Sequence, residues 1–299
     1  MEEFGLVLGL PHTNHLGFAE HLLIAYAGHF QWLTIARAIG RPLSALRTAT
    51  GGRVYGTFFY VDLRFPQRRS NHEFQLDDHL RFLVRLRAFK GISIEGRIFF
   101  DYESALPQGL DDNHWLPNER LAEYPSIHFG NIFITPEAGN SRLRVAIPAN
   151  ADFSALPTLP NEENPYHLTR QAAQDNNLGL LQSEWVPIRR QLSSYAIDPD
   201  RDSNGAGLVY FSNYVAFMAR AEREALAAAG LDRLRAPIRP THRRRIAYYG
   251  NVPLDGAIQT EVSLFERRED PQLLGLRYTI SRADDGQLIC LSEAIKFLA

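Results

Sequence analysis

The chain is predicted to be α+β, with two antiparallel sheets each wrapped around a long central helix. Three observations predict this. The stretches TNHLGFAEHLLIAYAGHFQWLTIARAIG (13–40) and SNGAGLVYFSNYVAFMARAEREALAAAG (203–230) align without gaps at a constant offset of 190. That offset sets Asn14 on Asn204, Gly17 on Gly207, Ala38 on Ala228 and Gly40 on Gly230. Four identities in 28 positions are slight alone, but the surroundings repeat as well. An extended segment precedes each stretch, and runs of β-branched and aromatic residues follow each.

Taken in order, FGLVLGLPH is the first extended segment. The apolar run Leu22–Ile39 then approaches membrane-spanning length. His29, Gln31 and Arg37 interrupt it, and Glu20 and His21 flank it, which excludes a transmembrane helix. A helix apolar on most of its circumference must instead be wrapped by protein. GGRVYGTFFYVDLRF, HLRFLVRLRAFKG and SIEGRIFFDY follow as strands. The second half repeats the order with EWVPIRRQLSSYAID, the 203–230 helix, RRIAYYGNVP, AIQTEVSLFER, LLGLRYTISR and QLICLSEAIKFL. Gln259–Leu264 alternates polar with apolar residues, the mark of a half-buried antiparallel strand. Leu76-Asp77-Asp78 and Leu254-Asp255-Gly256 lead into corresponding strands, and ADDGQ (283–287) reads as a hairpin turn. Pro, Asn and other polar residues crowd the middle. The expected division is 1–150, a linker over 151–178, and 179–299.

A 299-residue chain with 45% hydrophobic and 22% charged residues is globular. With 32 basic and 34 acidic residues, net charge −2, it has no global positive field for nucleic acid. The single cysteine, Cys290, suits a reducing compartment and reads as a small buried apolar residue. The acidic opening MEEF is unlike a secretory signal. A cytoplasmic protein without membrane contact is expected. His12, His15 and His21 match no common zinc spacing, and no nucleophile elbow stands in the chain.

Residues 204–222, NGAGLVYFSNYVAFMARAE, resemble the motif leading into the helix of the hydroxybenzoyl-CoA thioesterase branch of hot-dog proteins. Gly207, Val209, Tyr210, Asn213 and Tyr214 fit it. Asn204 stands where that branch carries an acid, and an amide cannot serve as base or nucleophile. The first half is more specific. GLPHTNHLGFAEHLL, GHFQW and GGRVYGTFFYVDLRF resemble the leinamycin-type bifunctional acyltransferase/decarboxylases, and the resemblance runs through both halves. It implies a double hot-dog that takes methylmalonyl-CoA, is acylated on a tyrosine, releases CO2, and delivers propionyl to the phosphopantetheine thiol of an acyl carrier protein in polyketide biosynthesis.

The resemblance sets the acylated tyrosine on Tyr55, with Tyr60 as the alternative. A nucleophilic phenol needs nearby positive charge or donors, and Arg53 and His29 are the candidates. Decarboxylation leaves an enolate, which donors can stabilise with no metal or cofactor. Asn204 is expected to donate its amide N–H to that oxygen, and Gly207 lets ligand approach the backbone. The bland alternative is that Asn204 caps the turn. Asn14 is its counterpart in the first half, and Tyr210 joins the substrate-binding set. Arg244, in the run His242–Arg245, meets phosphates of CoA or an acidic carrier, or else belongs to a solvated strand start. The rival activities are thioester hydrolysis or dehydration on the same scaffold, or a non-catalytic carrier-binding scaffold, as monomer or homodimer.

Overall fold

The computed structural model describes residues 1–15, 17–106, 123–137, 142–229 and 239–298. It divides into two compact units, 1–134 with 146–164 and 135–145 with 165–299. The first unit contains β1 (Glu2–Val7), helix α1 (Glu20–Ala38), β2 (Tyr55–Arg64), β3 (His79–Phe89), β4 (Ser93–Tyr102) and β5 (Ser126–Glu137). Its strands lie antiparallel in the order β1-β3-β4-β5-β2. The second unit contains α2 (Tyr166–Asp175), β6 (Trp185–Ala196), α3 (Asn213–Ala228), β7 (Thr241–Tyr248), β8 (Ala257–Arg267), β9 (Leu273–Arg282) and β10 (Leu288–Phe297). Its antiparallel order is β6-β8-β9-β10-β7.

Both orders are the same: first strand, third, fourth, fifth, then second. In each unit the long helix lies in the chain between the first and second strands. The helices end on Ala38 and Ala228, the pair that the offset of 190 aligns. Gly40 follows α1 in the left-handed region at φ +65°, a common way to stop a helix; its counterpart Gly230 lies outside the described residues. The 283–287 turn joins β9 to β10, with Gly286 at φ +70°. Strand β5 is an element that reading the sequence missed.

Each helix packs on one face of its sheet, so that strand residues alternate between a helix-side and an outer face. Phe30 of α1 meets Phe82 at 5.1 Å between ring centroids, and Trp32 meets Phe58 at 5.1 Å. The Trp32 ring occupies the space where Gly56 would carry a Cβ. Gly56→Ala is therefore expected to destabilise the fold by about 1–3 kcal/mol through overpacking, read as a lower denaturant midpoint at unchanged slope. In the second unit α3 buries Tyr214, Val215, Phe217, Met218, Ala221 and Glu222 among others. Glu222 accepts from Lys296 Nζ at 2.7 Å and from the Tyr278 hydroxyl at 3.0 Å.

The polar middle of the chain is built into both units. Ala88 of β3 exchanges backbone hydrogen bonds with Pro157 and Leu159 (Ala88 N–H to Pro157 O, 2.9 Å; Leu159 N–H to Ala88 O, 2.8 Å). Glu163 pairs with Arg87 at 2.7 Å. Beyond Asn164 the chain crosses the outer face of the second sheet. There Ala172 and Leu178 pack with Ala247 and Leu291, and Leu180 and Leu181 pack with Trp185. Glu293, fully buried, accepts the Leu180 N–H at 2.8 Å, and Arg245 donates to Leu178 O at 2.8 Å. Polar composition marked this stretch as a crossing segment, while its few apolar residues carry the contacts.

Candidate functional site

The loop ahead of α3 is a closed turn. Asn204 N–H donates to Leu208 O at 2.8 Å, and Gly207 N–H to Asn204 O at 2.9 Å. The Asn204 side-chain oxygen accepts from Ala206 N–H at 2.9 Å and Leu208 N–H at 3.1 Å. Two N–H donors on one atom identify that atom as the oxygen, so the NH2 group faces away from the turn. Among the described residues that NH2 has no hydrogen-bond partner. Asn204 therefore both closes the turn and presents a donor. Gly207 sits at φ +71°, which glycine adopts without strain. Its N–H is directed at Asn204 O, so the glycine shapes the turn and is not an open oxyanion donor. Helix α3 starts nine positions after Asn204, at Asn213, and its N-terminus does not adjoin Asn204 along the chain.

Tyr210 continues this loop. Its N–H donates to Asp202 O at 2.8 Å, and burial pushes its phenol above the ordinary range. Asp202 is an acid that the motif reading passed over. It is 2% exposed and accepts from the Tyr195 hydroxyl (2.8 Å), Asp198 N–H (2.9 Å) and Arg201 Nε (3.1 Å). With both oxygens occupied, it anchors the loop.

In the first unit, Thr13–Asn14 pairs with Gly17–Phe18 in a short hairpin, Asn14 opposite Gly17. The isolated bridge Ser203–Val209 is its near-counterpart in the second unit. Gly17, at φ +134°, has the Phe74 carbonyl 2.7 Å from where a Cβ would stand. His12, just before the hairpin, accepts Gly9 N–H on Nδ1 at 2.8 Å, and its Nε2 lies 2.8 Å from the Tyr26 hydroxyl. Nδ1 thus carries no proton, and Nε2–H donates to Tyr26.

Tyr55 begins β2, half-buried and opposite Ile134. Gly56 faces α1, so alternation turns Tyr55 to the outer face. No described residue hydrogen-bonds its hydroxyl. Arg53, exposed and bridged to Arg47, shares that parity. His29 is exposed on α1 beside Phe30. The helix lies across the sheet from Tyr55, so His29 and Tyr55 are not brought together.

Arg244 corrects the reading of the basic run. It is fully buried on the helix side of the second sheet, 3.3 Å from both Met218 Sδ and Ser292 Oγ, and 5.3 Å from the Tyr278 ring centroid. A guanidinium enclosed there does not reach a surface phosphate. Its run looked solvated because composition does not reveal which strand face a residue takes.

The structure also assembles a cluster invisible in the sequence, on the outer face of the first sheet. Glu95, 1% exposed, lies 2.6 Å from His128 Nε2, while Arg87 Nε donates to its other oxygen at 2.7 Å. Tyr60, 3% exposed, sets its ring edge against His128 at 5.5 Å and its hydroxyl 3.4 Å from Asp62. Burial pushes the Glu95 carboxyl up, but His128, Arg87 and Arg97 more than offset it and hold it below the ordinary range. A depressed carboxyl stabilises the fold above its unfolded pKa, and that contribution is lost as pH falls. Cys290 is fully buried, and burial raises its thiol strongly. Among the described residues no group of three or more His, Cys, Asp or Glu side chains is arranged to hold a metal. No described helix is long and apolar enough to cross a membrane.

Solved structures share this architecture along the whole chain. A Lactobacillus plantarum protein described as an oleoyl thioesterase superposes with a TM-score of 0.65 at 9% identity, over 99% of this chain and 95% of its own. An acyl-ACP thioesterase from Bacteroides thetaiotaomicron gives 0.58 at 10% identity, over 99% and 97%. The 12:0-ACP thioesterase from Umbellularia californica gives 0.58 at 8% identity, over 99% and 93%. The fold is thus the hot-dog fold of acyl thioesterases. No family model matches the sequence, and no curated protein matches it.

Proposed function

We propose that the chain is an acyl-thioester enzyme, an acyltransferase/decarboxylase that converts methylmalonyl-CoA to propionyl on an acyl carrier protein. The observation that carries this reading is the orientation of Asn204, whose amide is fixed with its oxygen inward and its NH2 outward. A group so held donates a hydrogen bond to a thioester or enolate oxygen and cannot remove a proton. The hot-dog architecture supports thioester chemistry, and the motifs of the first half support the tyrosine route. In that route the Tyr55 oxygen attacks the thioester carbonyl, and the CoA sulfur leaves with the phenolic proton. Loss of CO2 leaves an enolate, which is reprotonated at carbon. The carrier thiol then takes the propionyl group, returning the proton to Tyr55.

Hydrolysis is the second reading, favoured by the thioesterases that share the fold. Intact-protein mass spectrometry after incubation with methylmalonyl-CoA, with headspace CO2 followed in parallel, separates the two. An acyl adduct with CO2 release is expected for the wild type. Tyr55→Phe is expected to abolish the adduct and to cut propionyl transfer at least about a hundredfold. Free CoA and free methylmalonate without CO2 would establish hydrolysis instead.

A further inference from the structure

We propose that Asn204 is a site of self-modification, at which the side-chain amide is converted to a carboxylate through a cyclic imide formed with Gly205. Asn204-Gly205 is the one Asn-Gly step in the chain. Glycine leaves its nitrogen unshielded, because no Cβ stands beside the line of attack. Gly205 is exposed, and a Cβ there would meet nothing within 4 Å. Among the described residues its N–H has no acceptor. It is therefore open to the water or hydroxide that must take its proton. The loop also brings the reacting atoms into one ring. Ala206 N–H donates to the Asn204 side-chain oxygen at 2.9 Å, and the ring this bond closes contains both the Asn204 Cγ and the Gly205 nitrogen.

The steps balance between the loop and water. The Gly205 nitrogen gives its proton to hydroxide and attacks Cγ, forming a C–N bond. Negative charge moves onto the side-chain oxygen, which already accepts Ala206 N–H at 2.9 Å and Leu208 N–H at 3.1 Å. Two donors stabilise this developing oxyanion as they do in an oxyanion hole. The Cγ–Nδ2 bond then breaks, and the NH2 group leaves as ammonia with a proton from water. Water opens the imide at Cγ to give aspartate, or at the backbone carbonyl to give isoaspartate. Nothing is oxidised or reduced. Aspartate turns an outward donor into a negative charge. Isoaspartate also lengthens the main chain inside the turn that Leu208 O and Gly207 N–H close.

The modification is independent of the thioester reading, since it is read by mass and not by turnover. The full chain is held in mildly alkaline buffer, sampled over days and digested with trypsin. The peptide 202–220 carries both Asn204 and Asn213, so Asn213, which precedes Tyr214, is the control. The native chain is expected to gain the mass of an amide-to-acid change at Asn204 and not at Asn213. The product is expected as two chromatographic peaks, aspartate and isoaspartate. Gly205→Ala has space for its methyl and no positive φ to strain it. It is expected to slow conversion by at least about tenfold. Conversion that starts only once the chain is unfolded in urea, matches that of Asn213, or is unchanged in Gly205→Ala would overturn the proposal.

Discussion

Lys296→Met is expected to destabilise the second unit by about 3–5 kcal/mol, because it leaves the Glu222 carboxylate buried without its counter-charge. Lys296 and Glu222 side chains are each only 4% exposed, and they meet at 2.7 Å between β10 and α3. Removing one partner of such a pair is far more damaging than replacing both. The double variant Glu222→Gln/Lys296→Met removes both charges and keeps an acceptor for the Tyr278 hydroxyl. It is expected to recover roughly half or more of the loss. Chemical denaturation followed by circular dichroism reads both. A single variant within about 1 kcal/mol of wild type would show that the carboxylate finds water or another partner.

Under the proposed decarboxylation, Asn204→Asp is expected to lower turnover of methylmalonyl-CoA by about 10²–10³-fold, the loss typical of one oxyanion donor. The substitution is nearly isosteric. A carboxylate oxygen still accepts the Ala206 and Leu208 N–H groups, so the turn and the melting temperature are expected to persist. What changes is the outward atom, from a donor to a negatively charged acceptor, which repels a developing enolate. Asn204→Ala is the less informative variant, since it opens the turn as well. A folded Asn204→Asp enzyme with undiminished CO2 release would leave Asn204 only its role in the turn. If hydrolysis rose as decarboxylation fell, the residue would be the point at which the two chemistries part.

The sequence carried the repeat and the two long helices because periodicity survives in local pattern. Gln259–Leu264 alternates, and Leu22–Ile39 is apolar nearly all round. Strand β5 escaped because SIHFGNIFITPE interleaves His128, Gly130 and Asn131 with its apolar residues. Those three earn their places only through partners. Asn131 accepts from Gln31 of α1, Gly130 makes room for the Phe59 ring, and His128 faces Glu95. The Glu95–His128 cluster could not be read for the same reason: its members come from separate strands, and register is not written locally. The Asn204 turn was legible as a motif, but the direction of its amide depends on two backbone N–H groups that only the folded loop presents. Arg244 is the opposite case. Its charge suggested water, and the parity of β7 buried it.

The way the middle of the chain is built in bears on where the chain can be cut. Glu163 is latched to Arg87 on one side of Asn164, and Leu180 is held by Glu293 on the other. A break at Asn164 leaves each latch whole on its own fragment, so a protease nick there costs neither sheet the contacts of its cladding.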